Sequence, residues 1–504
     1  MTIAHTKIML QDIIADHPDN QSAVIDDDGA RFTYDELRSM AADTAQALRD
    51  HGVRPGDKVM LVCENCMLYA VSLFAILNCD AWVVPVNARQ SSAELAAIAE
   101  HGGVRAMVFT PRFSEPAGQH AADYNATTLI TLPCGDLLVS PVRDAAPEPL
   151  PGDPDERVAA LMYTTGTTSA PKGVMLTHTN LAWNATASAT FRKLAPDDVL
   201  LCVLPVTHIF GFASACLAAF KTGATVRFLT RFSPEVILNE LAKGASIFPA
   251  VPQMYARILN HLSETGAEFS APQLRYISSG GAPLDPDWKA RTEAVFGLPL
   301  NNGYGITEAA PTVAATRPDF PRSDLSVGPA VEGVEIKIHE PDNDGVGEIW
   351  IRGPNIMKGY YKNPEANRAS MMPEGWYRTG DLGRMAPDGA LFIAGRLKEL
   401  IIRSGFNVHP PEVEAMLTQH PNVVVAAVVG RPILGNEEIV AFIMVEGDID
   451  EPTLKAWLRE RLVPYKIPQH IVIVDAFPTA ATGKILKHKL LGHFADALAE
   501  RQPA

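Results

Sequence analysis

Residues 163–174 read Tyr163-Thr164-Thr165-Gly166-Thr167-Thr168-Ser169-Ala170-Pro171-Lys172-Gly173-Val174. An apolar run, Val158 to Met162, leads into this stretch, so a buried strand is expected to feed a polar loop. Gly166 lets the backbone turn its N–H groups toward a ligand, and Thr164, Thr165, Thr167 and Thr168 offer hydroxyls. Lys172 closes the loop with a mobile positive charge. Such a loop suits a polyphosphate. It is not the common nucleotide P-loop, because Lys172 lies between Pro171 and Gly173 and is not followed by Ser or Thr.

Upstream of the loop, helical and strand-like runs alternate. Tyr34 to Arg49 has helical spacing, Lys58 to Val62 reads as a strand, Ala93 to His101 as a helix and Arg105 to Phe109 as a strand. This alternation predicts an α/β fold with largely parallel sheets. Downstream of Val327 the pattern shortens: Val334 to Ile338 and Gly347 to Arg352 read as strands around the turn Asp342-Asn343-Asp344-Gly345. After Gly395-Arg396-Leu397-Lys398 a helix from Pro410, strands at Val423 to Val429 and Ile439 to Val445, and a helix at Glu451 to Leu462 predict a small α+β domain. The expected domains are therefore 1–397 and 398–504.

With 504 residues, two or more domains are needed. A formal net charge of −15 disfavours nucleic acid or an anionic membrane as the main partner, so an anionic substrate requires a local cluster of positive charge. Six scattered cysteines include one C-x-x-C, Cys63 and Cys66, without the second ligand pair a zinc site would need. Buried thiols are expected. The span Tyr69 to Val86 is broken by Asn78 and Asp80 and falls short of a membrane helix, and residues 1–19 lack a signal-peptide pattern. A cytoplasmic enzyme is expected, and a homodimer is the expected assembly.

Four further segments carry chemistry. Ser279-Gly280-Gly281-Ala282 follows an apolar run and permits close backbone approach to a flat ligand. Asn302-Gly303-Tyr304-Gly305-Ile306-Thr307-Glu308 sets an aromatic between glycines, then a hydroxyl and a carboxylate, which suits a purine, a phosphate and Mg2+. Tyr377-Arg378-Thr379-Gly380-Asp381 supplies a carboxylate able to accept from both ribose hydroxyls. Thr482-Gly483-Lys484 sits in a basic tail where Arg461, Lys466, Lys484, Lys487 and Lys489 outnumber one acid, Asp475. A solvated helix face accounts for Lys487 and Lys489 equally well.

In this order the segments resemble the adenylate-forming superfamily of acyl-CoA synthetases, aryl-CoA ligases, luciferases and adenylation domains, from about Phe32 to Leu490. The resemblance implies a large domain of stacked mixed and parallel sheets plus a small distorted β-barrel, followed by a small mobile α+β domain. It assigns ATP phosphates to Thr164, Thr165, Gly166, Thr167, Thr168 and Lys172, and adenine to Gly280, Gly281, Ala282, Asn302, Gly303, Tyr304 and Gly305. Thr307 would meet the phosphate, Thr168 and Glu308 would serve Mg2+, and Asp381 and Arg396 would hold the ribose. His208 would gate the acyl site beside Phe210, Gly281 and Ala309. Lys398 would be the hinge, Lys484 the adenylation lysine, and Arg231, Ser404 and Gly405 would meet CoA. The chain departs from the pattern in the loop, where Thr165 and Ser169 stand for a serine and a glycine, and at Ile402, where coumarate ligases carry a lysine.

The implied reaction joins a carboxylic acid to CoA in two steps, with ATP, Mg2+ and CoA as cofactors. A free-standing adenylation enzyme that loads a separate carrier protein is the alternative, and a nucleotide sensor is a third reading that Glu308 and Lys484 disfavour. The chain ends soon after Lys484, which favours the ligase. The segments expected to line the acyl site, Phe210 to Ser214, Gly280-Gly281 and Ala309 to Val313, carry no charge. An aromatic or medium-length aliphatic monocarboxylate is therefore the expected substrate.

Overall fold

The computed structural model describes residues 8–164, 172–403, 406–433, 436–479 and 485–499. Two compact units divide the chain: Met1–Gly281, Ala290–Ile336 and Ile351–Tyr377 form one, and Ala282–Lys289, Lys337–Trp350 and Arg378–Ala504 form the other.

The first unit holds two eight-stranded sheets. One has a parallel centre of Tyr276–Ser279, Ile247–Ala250, Val199–Cys202, Thr225–Phe228 and Ser22–Ile25. Leu300–Gly305 extends this run in parallel, and Thr312–Ala315 closes the edge antiparallel. The other sheet places the strand ahead of the phosphate loop, Val158–Thr164, parallel to Trp82–Asn87 and antiparallel to Lys172–Thr177. Gly359–Tyr360 then adds to the outer side of Lys172–Thr177.

Local chemistry explains the elements. Thr33 caps the helix Tyr34–Asp50 by accepting from Glu36 N while the Glu36 carboxylate accepts from Thr33 N. The apolar span at Tyr69 to Val86 resolves into two elements: the helix Met67–Asn78, buried on every face, and the strand Trp82–Asn87. Asp80 turns the chain between them with φ of 52°. No helix among the described residues is long and apolar enough to cross a membrane.

In the second unit Val423–Ile433 and Asn436–Val445 pair antiparallel, and His470–Ile473 adds in parallel. The alternation along the central strand splits the core. Ile439, Ala441 and Ile443 pack with Val413, Leu417, Leu454 and Leu458, whereas Val440 and Phe442 pack with Val472, Leu490 and Leu498. Within the same unit, Tyr377–Met385 pairs with Leu391–Arg396 and sets Asp381 opposite Arg396.

Candidate functional site

The Val158–Thr164/Lys172–Thr177 hairpin sets Thr164 opposite Lys172, so both ends of the predicted phosphate loop are held by a paired stem. Thr165, Gly166, Thr167, Thr168 and Ser169 lie outside the described residues, as do Ser404, Gly405 and Lys484.

Beside the stem lies a chain of contacts that no single motif reveals. The Lys172 ammonium sits 5.1 Å from the centre of the Tyr360 ring. The Tyr360 hydroxyl donates to Glu308 Oε1 at 2.7 Å and lies 2.9 Å from the Tyr377 hydroxyl. Burial, followed by the Glu308 charge, raises both tyrosines well above the ordinary phenol range, so they remain proton donors. Glu308 is also anchored by its backbone, whose carbonyl accepts from Met357 N at 2.9 Å. A predicted phosphate-loop lysine and a predicted metal carboxylate thus meet through Tyr360, which sequence reasoning missed. Its signal was the pair Tyr360-Tyr361 two residues after Lys358, which carries no motif of its own.

The glycines have separate reasons. A Cβ on Gly280 would lie 3.2 Å from the Phe210 ring, so the predicted adenine segment and the predicted acyl pocket share a wall there. A Cβ on Gly305 would approach the Pro311 carbonyl oxygen to 2.5 Å, the same oxygen that accepts from Ile306 N. Gly303 pairs with Ala315 and Tyr304 with Ala314 in the edge strand. Asn302 is buried, and its amide donates to the Leu325 and Ser326 carbonyls at 3.3 Å each, so it braces the loop at 325–326. Gly281 adopts φ of +78°, which favours glycine. Thr307 and Ala309 lie with Glu308 in one short turn of 3-10 helix.

His208 caps its own segment, with Nδ1 accepting from Phe210 N at 3.3 Å. Phe210 opens a π-helical stretch, Phe210–Leu217. Arg231 pairs with Glu64 at 2.8 Å, and Arg89, absent from the expectation, takes the same carboxylate oxygen at 2.6 Å. Two guanidiniums on one buried acid leave a net positive spot.

In the second unit the buried Asp381 carboxylate meets Arg396 at 3.3 Å, and Asp381 N donates to Thr379 Oγ1 at 3.0 Å. Lys398 occupies the 3-10 turn Leu397–Glu399, and Ala282 opens the segment 282–289. The basic tail needs correcting. Lys487 is no solvated-face residue: it pairs with Glu414 at 2.6 Å and Glu399 at 3.6 Å. Lys466 pairs with Glu412 at 2.6 Å, and Arg461 with Glu460 at 3.0 Å. Acids outside the counted segment, from the neighbouring Glu460 to the distant Glu399, Glu412 and Glu414, cancel much of the field that counting along the tail suggested.

The six cysteines are free and buried, and no group of metal-ligating side chains stands out among the described residues. A single carboxylate with neighbouring hydroxyls fits a hard cation that keeps most of its water and takes further oxygens from phosphates.

The sequence model of the AMP-binding enzyme family matches residues 10–361, and that of the AMP-binding enzyme C-terminal domain matches 412–484. A feruloyl-CoA synthase of Amycolatopsis sp. is 36% identical over 476 residues, covering 92% of this chain and 94% of that protein. 4-Coumarate–CoA ligase 3 of Oryza sativa subsp. japonica is 33% identical, covering 93% and 88% respectively. The ATP-bound structure of MatB from Rhodopseudomonas palustris superposes with a TM-score of 0.85 at 28% identity, over 99% of this chain and 100% of that one.

Proposed function

The chain belongs to the AMP-binding enzyme family, and from that premise we propose that it is an ATP-dependent carboxylic acid–CoA ligase. Full-length relatives named as CoA ligases support CoA, and not a carrier protein, as the acceptor. The observation that carries the reading is the Lys172–Tyr360–Glu308 array beside the phosphate-loop stem.

In the first half-reaction the acid's carboxylate oxygen attacks the α-phosphorus of ATP, the bond to the β-phosphate oxygen breaks, and pyrophosphate leaves an acyl-adenylate. Positioning and charge stabilisation do this work, without a protein nucleophile. Lys172 and the threonine loop hold the departing phosphates. Thr307 faces the phosphate, and Lys484 neutralises charge at the reacting centre. Mg2+ held through Glu308 and Thr168 would supply Lewis-acid neutralisation of the phosphate oxygens. Gly280 to Ala282 and Asn302 to Gly305 flank adenine, and Asp381 with Arg396 takes the ribose.

In the second half-reaction the CoA thiolate attacks the acyl carbonyl and AMP departs. The segment from residue 398 turns about Lys398, withdrawing Lys484 and presenting Ser404 and Gly405. The positive spot made by Arg231 and Arg89 on Glu64 receives the phosphates of CoA. The acid lies beside His208, Phe210, Gly281 and Ala309, and an aromatic monocarboxylate is favoured over a medium-chain aliphatic one. Buried free thiols support a reducing, cytoplasmic setting. A homodimer is part of the proposal, and sedimentation velocity reads it.

The test is pyrophosphate and AMP release across a panel of carboxylic acids with ATP, Mg2+ and CoA. Acid-dependent release that needs CoA for turnover is expected. Release unaffected by CoA but activated by a carrier protein would overturn the proposal. Lys484→Ala should lose adenylation while keeping thioester formation from supplied acyl-adenylate.

A further inference from the structure

Asn65 lies in the short connection between the strand Lys58–Cys63 and the helix Met67–Asn78 and is 3% exposed. Its partners belong to the other eight-stranded sheet, at the C-terminal ends of Val199–Cys202 and Thr225–Phe228. Asn65 Nδ2 donates to the carbonyls of Leu204 at 2.9 Å, Cys202 at 3.1 Å and Leu229 at 3.2 Å, and its Oδ1 accepts from Val206 N at 3.0 Å. The Asn65 carbonyl in turn accepts from Thr230 Oγ1 at 3.0 Å. Both ends of the side-chain amide are thus engaged from one sheet to the other.

Two of these bonds fix the backbone that leads to His208. One amide satisfies the C=O of Leu204 and the N–H of Val206, as a neighbouring strand would, and Pro205 between them has no N–H to offer. The turn then closes on itself: His208 N donates to the Pro205 carbonyl at 3.0 Å, and Phe212 N to the His208 carbonyl at 2.9 Å. From the other side Gly211 packs so closely that a Cβ there would lie 2.8 Å from the Leu204 carbonyl oxygen and collide with that of Pro205. Leu204, Val206 and Ile209 are buried, whereas His208 is exposed. An exposed imidazole on a buried turn is aimed by the backbone beneath it, and Asn65 holds that backbone.

We propose that Asn65 is a positioning residue for the acid: it sets the turn 204–208 and, through that turn, the place of His208 beside the acid. The inference rests on the acid–CoA ligase reading. Misplacing a group by about 1 Å can cost roughly 100-fold in rate, so a clamp on this turn has leverage over the reaction. A mere staple between the two sheets would instead lower the melting temperature and leave the KM values of the folded enzyme alone.

The experiment measures acid-dependent pyrophosphate release with ATP, Mg2+ and CoA on the best acid of a panel running from benzoate and 4-hydroxycinnamate to octanoate. Asn65→Ala should lower kcat/KM for the acid by about 10- to 100-fold while KM for ATP stays within about twofold of wild type. In the His208→Ala background the same change should cost at most about twofold, because both substitutions act through one imidazole. Equal rises in KM for acid and ATP, unchanged KM values with a lowered melting temperature, or losses that multiply in the double variant overturn the inference. If Asn65→Ala does not fold, Thr230→Val carries the test, since it removes only the hydroxyl that holds the Asn65 carbonyl. It should raise KM for the acid about threefold with KM for ATP unchanged. A wild-type KM for the acid in that variant then overturns the inference. No pyrophosphate from the wild-type enzyme with any acid in a wide panel overturns the ligase reading itself and this inference with it.

Discussion

The Tyr360 hydroxyl donates to Glu308 Oε1 at 2.7 Å, joining a residue at the end of a two-residue edge strand to one in a turn of 3-10 helix. Tyr360→Phe removes this bond while keeping the ring under Lys172. Hydrogen bonds that orient a metal-binding carboxylate typically matter by 10- to 100-fold. Adenylation should therefore slow by about tenfold with a raised Mg2+ requirement, read by titrating Mg2+ against pyrophosphate release. An unaltered Mg2+ curve would remove Glu308 from the metal site.

Gly280→Ala forces a methyl to within 3.2 Å of the Phe210 ring. The ring must give way by a few tenths of an ångström, and the acid's KM should rise by about 5-fold, near the low end (about 1 kcal/mol) of the cost of an overpacked site. Gly280→Ala/Phe210→Leu should recover most of the loss. If the double variant is no better than Gly280→Ala, the shared wall is not what limits acid binding.

Lys487 meets the carboxylates of Glu414 and Glu399, and Glu414 also accepts from Val428 N at 2.6 Å. Desolvation raises the Glu414 carboxyl above its usual range, and Lys487 acts against that rise. Lys487→Met should destabilise the second unit by about 2–4 kcal/mol, because it strands a largely buried carboxylate. Adding Glu414→Gln should return part of this. Scanning calorimetry of the three proteins checks the coupling, and strictly additive losses would count against it.

Asp26 is buried, and its Oδ1 accepts from Met67 N at 3.0 Å and Asp27 N at 3.1 Å while its Oδ2 has no partner. Burial pushes its carboxyl up to about 6, despite those two bonds. Because the folded value lies above the unfolded one, the stabilising contribution is full below pH 3.8 and is lost as pH rises through about 6. Relative to wild type, Asp26→Asn should gain up to roughly 3 kcal/mol between pH 4 and pH 7. Melting temperatures at the two pH values measure it, and a constant gap between the proteins would refute the assignment.

The candidate segments could be picked out in the sequence because glycines and hydroxyls that shape a loop or a close-approach segment are contiguous in the chain. The strand that leads into the phosphate loop, Val158–Thr164, follows from the apolar run read at Val158 to Met162. What escaped is made by residues far apart in the chain. Tyr360 reaches Glu308 across 52 positions, and Arg89 reaches Glu64 only because two elements lie side by side. The tail lysines misled for the opposite reason: their counter-ions, Glu399, Glu412 and Glu414, lie outside the segment whose charges were counted.

The tyrosine pair also sets the Glu308 carboxylate before any ligand arrives. With burial holding both phenols in their protonated form, Glu308 Oε1 keeps a donor on it, and the side chain is tied to the edge strand that Tyr360 ends. The entropy of ordering this acid is thereby spent in folding and not in binding, which is the sense in which a site is preorganised.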